Sequence, residues 1–199
     1  MRKFGYWLAA AVMVLGLTVQ DVRAEEGALK QLAPGTVFNY NAKQGPLKVT
    51  VNSMNGAVVS QTEAGASTAN IDHVGFGVTL NPVRQERMSD ADRARVGTLF
   101  PLKVGNTLKV EHRGVTRSND WTCADKYEVT GQAKVTVPAG TYDTYVIETS
   151  QRDLGSYPWK GESTCWYSPE VGHCVKLKWR STNGSDDWEL VSVTPAAAQ

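Results

Sequence analysis

Apolar and polar residues alternate along most of this chain. Every second residue is apolar in Leu47–Asn52, and the same holds in Val175–Arg180. Alternation with a period of two places successive side chains on opposite faces of a β-strand. Residues that favour turns separate these segments, at Asn55-Gly56, Pro138-Ala139-Gly140 and Asn183-Gly184. The pattern therefore predicts strands that are joined by tight hairpins.

The alternation predicts nine strands and one further irregular piece. They cover Thr36–Asn41, Leu47–Asn52, Ala57–Glu63, an irregular piece at His73–Val78, Thr107–His112, Trp121–Val137 with a break near Gly131, Thr141–Ser150, Ser163–Tyr167, His173–Arg180 and Trp188–Val193. A short helix is predicted from Ser89 to Gly97, because Ser89 can cap it and Asp92 can reach back to the cap. We expect an all-β fold, either a strongly curved antiparallel meander sheet or a partly closed β-barrel with one short helix.

The first 24 residues have the pattern of a cleavable signal peptide. Arg2 and Lys3 precede the apolar run Trp7–Val19, and Val22-Arg23-Ala24 provides a site for cleavage after Ala24. The apolar run is short for a membrane span, although an uncleaved anchor is the alternative. We expect a signal peptide at residues 1–24, a single antiparallel β domain at 25–199, and export to the periplasm.

Charge and motifs exclude several classes of function. The chain has 21 basic and 20 acidic residues, and such a near-neutral balance argues against general nucleic-acid binding. After the leader, no segment is long and apolar enough to predict a transmembrane helix. No dinucleotide, phosphate-loop or G-x-S-x-G motif is present, and the cysteine spacing does not fit a zinc site. We expect no cofactor and no bound metal.

All three cysteines, Cys123, Cys165 and Cys174, lie in the part predicted to be exported, where disulfides can form. Cys165 and Cys174 flank the turn at Ser168–Gly172, so a symmetric hairpin would place them opposite each other. We therefore predict a Cys165–Cys174 disulfide. A Cys123–Cys165 pair and three buried thiols are the alternatives.

No catalytic constellation is predicted from the histidines and carboxylates. His73, His112 and His173 fall in separate strands, and each is best interpreted as a packing or surface residue. His173 and Cys174 are adjacent on one strand and would point to opposite faces, so they cannot act as a nucleophile–base pair. A thiol enzyme would need a distant pair such as Cys123 with His112.

Aromatic residues are the candidate ligand-binding residues. All tryptophans except Trp7 follow residue 120. A curved sheet could leave part of this aromatic set open as an apolar pocket, or the rings could stack on sugars; the alternative is that they fill the core. The predicted ligand-binding residues are Tyr157, Trp159, Trp166, Trp179 and Trp188.

Two motifs resemble those of a group of uncharacterised bacterial exported proteins. One is Val135–Tyr145, which reads V-T-V-P-A-G-T-Y-D-T-Y, and the other is Trp166–Gly172, which reads W-Y-S-P-E-V-G and precedes a basic-apolar strand. Phe100–Gly105 is similar to their usual lead-in. The resemblance implies a curved antiparallel sheet akin to periplasmic lipoprotein carriers. It implies no activity and no catalytic residues.

Three functions remain open at this stage. The first is a non-enzymatic binding or carrier module for an apolar, lipid-like molecule on a concave sheet face. The second is a structural domain of the cell envelope that contacts a protein partner. The third is a hydrolase that uses scattered carboxylates or a thiol. Curvature and the aromatic-rich half of the chain favour the first function.

Overall fold

The fold is built from strands whose residues alternate between a buried inner face and an exposed outer face. A computed structural model describes residues 27–65, 68–74, 85–88, 91, 95, 97–115, 120–156 and 158–197. These residues contain eleven strands: β1 Val37–Ala42, β2 Gly45–Asn55, β3 Val58–Ala64, β4 Thr68–Val74, β5 Gln85–Met88, β6 Thr107–Val115, β7 Asp120–Val137, β8 Gly140–Asp153, β9 Lys160–Ser168, β10 His173–Ser181 and β11 Gly184–Thr194. A 3₁₀ turn at Gly97–Leu99 precedes β6.

The strands form one meander in which neighbours in sequence are neighbours in the sheet. The last strand, β11, also pairs with β1, so the two ends of the meander meet. Between β4 and β5 the described residues form one parallel pair, Ile71 with Glu86, whereas the other neighbouring strands pair in antiparallel fashion. The sheet is therefore a curved antiparallel barrel with one weak seam. This result confirms the predicted fold class.

The inner face of the sheet carries a continuous apolar core. Its fully buried side chains come from strands on all sides of the barrel, for example Phe38 on β1, Val49 on β2, Ile147 on β8 and Leu190 on β11. Burial of such a side chain contributes about 1.5–3 kcal/mol, which is why the alternating pattern specifies which face turns inward.

One end of the barrel is closed by chain that lies outside the strands. We define the closed end by residues 27–36 and 97–106. Leu99 and Leu102 are fully buried there, and the Leu102 N–H donates to the carbonyl oxygen of Gly27 at 2.8 Å. The opposite end, which we call the turn end, is bounded by the turns at 43–44, 154–159 and 182–183.

Two turn predictions need correction. The predicted break near Gly131 is a β-bulge between Val129 and Gly131, so β7 continues unbroken for 18 residues. The hairpin after β2 exists, but Asn55 pairs with Val58, so Gly56 and Ala57 are its central residues. Gly56 has φ +57, and no described residue other than glycine has a positive φ. The pair Asn55-Gly56 had predicted a type I′ turn with these two residues at its centre; that prediction is wrong, because a type I′ turn requires a positive φ at both central residues.

Several predictions fall where the structure gives little or no description. The signal peptide at 1–24 lies outside the described residues, as does most of the predicted helix from Ser89 to Gly97. The irregular strand predicted at His73–Val78 corresponds to β4 up to Val74, and residues 75–78 are not described. In the described part of the chain, no helix has the length and apolar character needed to cross a membrane.

Candidate functional site

The five aromatic residues predicted to bind a ligand do not form one wall. Trp188 is fully buried in the core, with its ring centroid 6.3 Å from that of Tyr40. Trp166 lies on the outer face of β9, where the Lys178 Nζ atom is 6.0 Å from its ring centroid. Tyr157 lies outside the described residues. Trp188, in the core, and Trp166, on the outer face, are therefore set apart from Trp159 and Trp179.

Trp159 and Trp179 both lie on the inner face at the turn end. Trp179 is half-buried and pairs with Ser163 of β9 and with Asp186 of β11. Trp159, also half-buried, precedes β9, and its Cη2 atom is 2.8 Å from where a Cβ would stand on Gly161. A glycine at position 161 thus lets the indole lie directly against the strand. Two indole rings therefore flank β9 where the barrel interior meets the turns.

Buried polar side chains lie next to these rings. Asp125 is 3% exposed, and its Oδ2 atom accepts hydrogen bonds from Tyr127 Oη at 3.1 Å and from Gln151 Nε2 at 3.0 Å. Gln151 is the cross-strand partner of Gly161, the residue that Trp159 covers. Aromatic faces and hydrogen-bonding groups thus meet at the same end of the barrel, as in many ligand sites.

A second carboxylate at the turn end, Asp186, is fully buried. Its Oδ1 atom accepts hydrogen bonds from the backbone N–H of Lys43 at 2.9 Å and of Asp187 at 2.8 Å. Its Oδ2 atom has no hydrogen-bond partner among the described residues, and the same holds for the indole nitrogen of Trp188. The Oδ1 bonds show that Asp186 anchors the turn between β1 and β2.

A buried chain of hydrogen bonds crosses the barrel interior. The Tyr40 hydroxyl donates to the carbonyl oxygen of Cys174 at 2.8 Å and lies 2.7 Å from His173 Nδ1. His173 Nε2 is 3.4 Å from Gln61 Oε1, and Gln61 Nε2 donates to Glu63 Oε1 at 2.9 Å. The His173 ring stacks on Phe38 with the centroids 4.6 Å apart. Because these groups are buried and bonded to one another, we interpret the chain as structural.

The predicted disulfide is present between Cys165 and Cys174, whose Cα atoms are 5.6 Å apart. The two residues are not directly opposite each other, because a bulge between Cys174 and Lys176 shifts the register. Cys174 pairs with Tyr167 and Cys165 pairs with Leu177, so the bridge runs diagonally between β9 and β10. The alternative Cys123–Cys165 pair is excluded.

Cys123 is a free cysteine and is 2% exposed. Its cross-strand Cα partner on β6 is His112, the residue that the sequence analysis gave as an example of a distant catalytic partner. Burial keeps a substrate away from the thiol, and buried cysteines are usually inert. In the described residues, no cluster of His, Cys, Asp or Glu could hold a metal ion.

Two buried phenols give the fold a dependence on alkaline pH. Burial raises the pKa of Tyr167 from 10.0 to about 12, and the nearby backbone of Lys30 opposes the shift only in part. The pKa of Tyr40 is raised well above 10, mainly by burial and to a smaller extent by the nearby charge of Glu63. The folded state therefore favours the neutral phenols. The stability that they contribute is fully present below pH 10 and is lost as the pH rises toward the folded-state pKa values.

We expect the free energy of unfolding to fall between pH 10 and pH 12. At pH 11 the loss from Tyr167 should be about 1.4 kcal/mol, and Tyr40 should add a further loss of the same sign. Urea denaturation at pH 9, 10 and 11 measures it. Tyr167→Phe keeps the ring and removes the phenol, so its stability should fall less steeply with pH than that of the wild type. An unchanged slope in this variant would contradict the assignment.

Comparisons with known proteins identify the architecture. No protein-family model and no curated protein sequence matches this chain. A protein of Bacteroides fragilis NCTC 9343, named as an exported protein with a YmcC-like fold, is similar at a TM-score of 0.53 and 12% identity; the alignment covers 84% of this chain and 99% of that one. The chain has a YmcC-like fold. The hypothetical lipoprotein YmcC from Escherichia coli K12 is similar at a TM-score of 0.51 and 10% identity, over 82% of this chain and 86% of that chain.

The YmcC-like fold agrees with the expected group of exported β-proteins. One neighbour is named as exported and the other as a lipoprotein, and neither name states an activity. At such low identity the likeness shows the fold alone, so no functional residue is transferred from these proteins.

Sequence reasoning missed the buried polar residues of the interior. Gln61 and Glu63 are 0% and 4% exposed, and they share the inner face of β3 with Val59. The signal was present in the period of two, because all three occupy alternate positions in one strand. Asp125 could have been found in the same way, because it alternates with the buried residues Cys123 and Tyr127.

Proposed function

We propose that this protein is an exported binding module that holds an amphipathic, lipid-like molecule at the turn end of its barrel. The observation that carries the proposal is the meeting of Trp159 and Trp179 with buried polar groups on the inner face. Indole rings offer large flat apolar surfaces, and ligand sites combine such walls with a few orienting polar groups.

The chemistry of this end favours an amphipathic ligand over a wholly apolar one. Thr149 and Ser163 are cross-strand partners on the inner face, next to the pair formed by Gln151 and Gly161. Hydroxyl and amide groups would lose hydrogen bonds to water against a purely hydrocarbon molecule. A molecule with a polar head could satisfy them while its apolar part lies on the two rings.

Binding without chemistry is the simplest activity for this site. The two carboxylates at the turn end are buried, and one oxygen of each is already engaged: Asp125 Oδ2 by Tyr127 and Gln151, and Asp186 Oδ1 by two backbone N–H groups. A general acid or base needs freedom to exchange a proton with a substrate within hydrogen-bond reach. The leader predicted from the sequence supports a role outside the cytoplasm.

The test compares two inner-face tryptophans with one outer-face tryptophan. We expect Trp159→Ala and Trp179→Ala each to weaken binding of a C16 lysophospholipid by about tenfold, because each removes one apolar wall. Trp166→Ala is the matched control and should bind as the wild type does. Fluorescence titration below the critical micelle concentration gives the dissociation constants.

Native mass spectrometry of protein purified from a periplasm provides the second readout. A bound mass in the wild type that is lost in Trp159→Ala and Trp179→Ala supports the proposal. The bare polypeptide mass in repeated preparations, together with equal lysophospholipid titrations for all four proteins, would refute it.

A further inference from the structure

A large cavity lies on the outer face of the sheet, away from the inner-face tryptophans. It has a volume of about 680 Å³ and crosses β6, β7, β8 and β9. The charged side chains that line it are mainly basic, and they include Lys109, Lys126, Arg152, Lys160, Glu111 and Glu162. We call this cavity the outer groove. Arg95, from the chain before the 3₁₀ turn, also lines it.

The register of the strands places like charges directly opposite each other in the outer groove. Lys109 of β6 pairs with Lys126 of β7. Arg152 of β8 pairs with Lys160 of β9. Like charges that face each other across two strands destabilise a sheet. Two such pairs on four consecutive strands therefore lower the stability of the sheet at one place. Local arrangements that cost stability in this way are typical of functional sites.

The protein itself neutralises little of this charge. Lys126 forms an ion pair with Glu128 at 2.6 Å. Within the described part of the chain, Lys109, Arg152 and Lys160 have no carboxylate within ion-pair distance. The carboxylate of Asp125 also borders the outer groove, but it is buried and engaged by Tyr127 and Gln151 on the inner side.

We propose that the outer groove binds a ligand that carries at least two oxyanion groups, either carboxylates or phosphates. One group would lie at the Lys109–Lys126 pair and another at the Arg152–Lys160 pair. Ser150, which pairs with both Lys126 and Glu162, offers a hydroxyl between them. The ligand relieves the repulsion within each pair, and arginine can bind a carboxylate or phosphate through two parallel hydrogen bonds.

The acidic residues of the outer groove restrict the ligand further. Glu111 pairs with Ala124 and faces the same groove as Arg152, whereas Glu162 pairs with Ser150 and Arg180. Carboxylates accept hydrogen bonds and repel anions, so a ligand that also carries hydroxyl or other donor groups fits better than a bare anion. A cavity of about 680 Å³ accommodates a small molecule of this kind.

A neighbouring cavity of about 450 Å³ extends the outer groove toward β10. The two cavities share Lys126, Ser150 and Glu162. The extension adds Lys178 and Arg180, but also Glu128 and Glu148, so its charges balance. The anionic groups therefore belong in the first cavity, and the extension can take only an uncharged continuation of the ligand.

Thermal denaturation with citrate and with pyrophosphate tests the proposal and separates its two oxyanion sources. Ionic strength is held constant with sodium chloride. We expect at least one of the two anions to raise the melting temperature of the wild type by about 2 °C or more. The double variant K109Q/R152Q should lose at least half of that shift. A response to citrate alone indicates carboxylates, and a response to pyrophosphate alone indicates phosphates.

Lys134→Gln is the control for loss of a positive charge outside the outer groove; it removes one charge, from β7, whereas K109Q/R152Q removes two. Lys134 is exposed and forms an ion pair with Asp143 at 2.7 Å. Its variant should keep the wild-type response to the anion. If neither anion has an effect beyond that of sodium chloride, or if K109Q/R152Q and Lys134→Gln respond like the wild type, the proposal is wrong.

A charge reversal provides a second readout that nonspecific salt effects would not produce. Arg152→Glu places a carboxylate opposite Lys160 and replaces repulsion with attraction. We expect this variant to melt about 1–3 °C higher than the wild type at low salt without the anion. The same variant should show no stabilisation by citrate or pyrophosphate. A variant that melts lower than the wild type yet keeps the full response to the anion would overturn the proposal.

Discussion

Trp188→Ala is expected to lower the free energy of unfolding by about 3–5 kcal/mol, whereas Trp166→Ala should cost about 1 kcal/mol or less. Trp188 is fully buried on the inner face of β11, so truncation leaves a large cavity among packed side chains. Trp166 is half-buried on the outer face of β9, where water can fill the space that its ring leaves.

Urea denaturation followed by far-ultraviolet circular dichroism measures both costs without relying on tryptophan fluorescence. Trp188→Phe is the intermediate variant, because it keeps an apolar ring and should lose less than Trp188→Ala. Equal losses for Trp188→Ala and Trp166→Ala would contradict the assignment of the two residues to opposite faces. The comparison also separates a core role for Trp188 from the ligand-binding role that the sequence suggested.

The strands could be predicted from the sequence because the alternating pattern depends on local chemistry. Alternation in Leu47–Asn52 and Val175–Arg180 identifies β2 and β10, since one face of each strand must be buried. The Pro138–Gly140 turn was also predictable: Val137 pairs with Gly140, which has φ +144, a value that favours glycine. These features need no knowledge of the rest of the fold.

The grouping of the aromatic residues was not readable from sequence. Trp166 and Trp188 each lie in an alternating strand. Alternation divides the residues of a strand between its two faces, but it does not tell which face carries a half-buried ring. The bulge between Cys174 and Lys176 shifts the pairing of β10 with β9, and no local residue pattern predicted it. The loop residue Trp159 reaches the inner face because Gly161 has no side chain, a tertiary contact.

The sequence did not predict which polar groups come together in the two candidate sites, for a related reason. The opposition of Lys109 and Lys126 arises only when β6 and β7 adopt their observed register. The same is true of Arg152 and Lys160, which both lie outside the strands that the sequence predicted. Register between strands depends on bulges and loop lengths, so cross-strand chemistry becomes visible only in the folded sheet.

Removal of the disulfide is the second change with a large expected effect. The double variant C165A/C174A should lose about 2–3 kcal/mol of stability. A bridge that closes a loop of roughly ten residues restricts the unfolded chain by about this much. The bridge joins β9 to β10, the hairpin that contributes the fully buried Tyr167 and the hydrogen-bonded His173 to the interior.

A reducing agent supplies the internal control for this prediction. The wild type should lose a similar stability when reduced, whereas C165A/C174A should be unaffected by reduction. Cys123→Ala removes the free buried thiol and should keep the full sensitivity to reduction, because Cys123 takes no part in the bridge. Three free thiols in the unreduced wild type, measured by mass after alkylation, would contradict the pairing. Because alanine also leaves small cavities at two buried positions, a loss in C165A/C174A well above that of the reduced wild type would assign the difference to packing rather than to the bond.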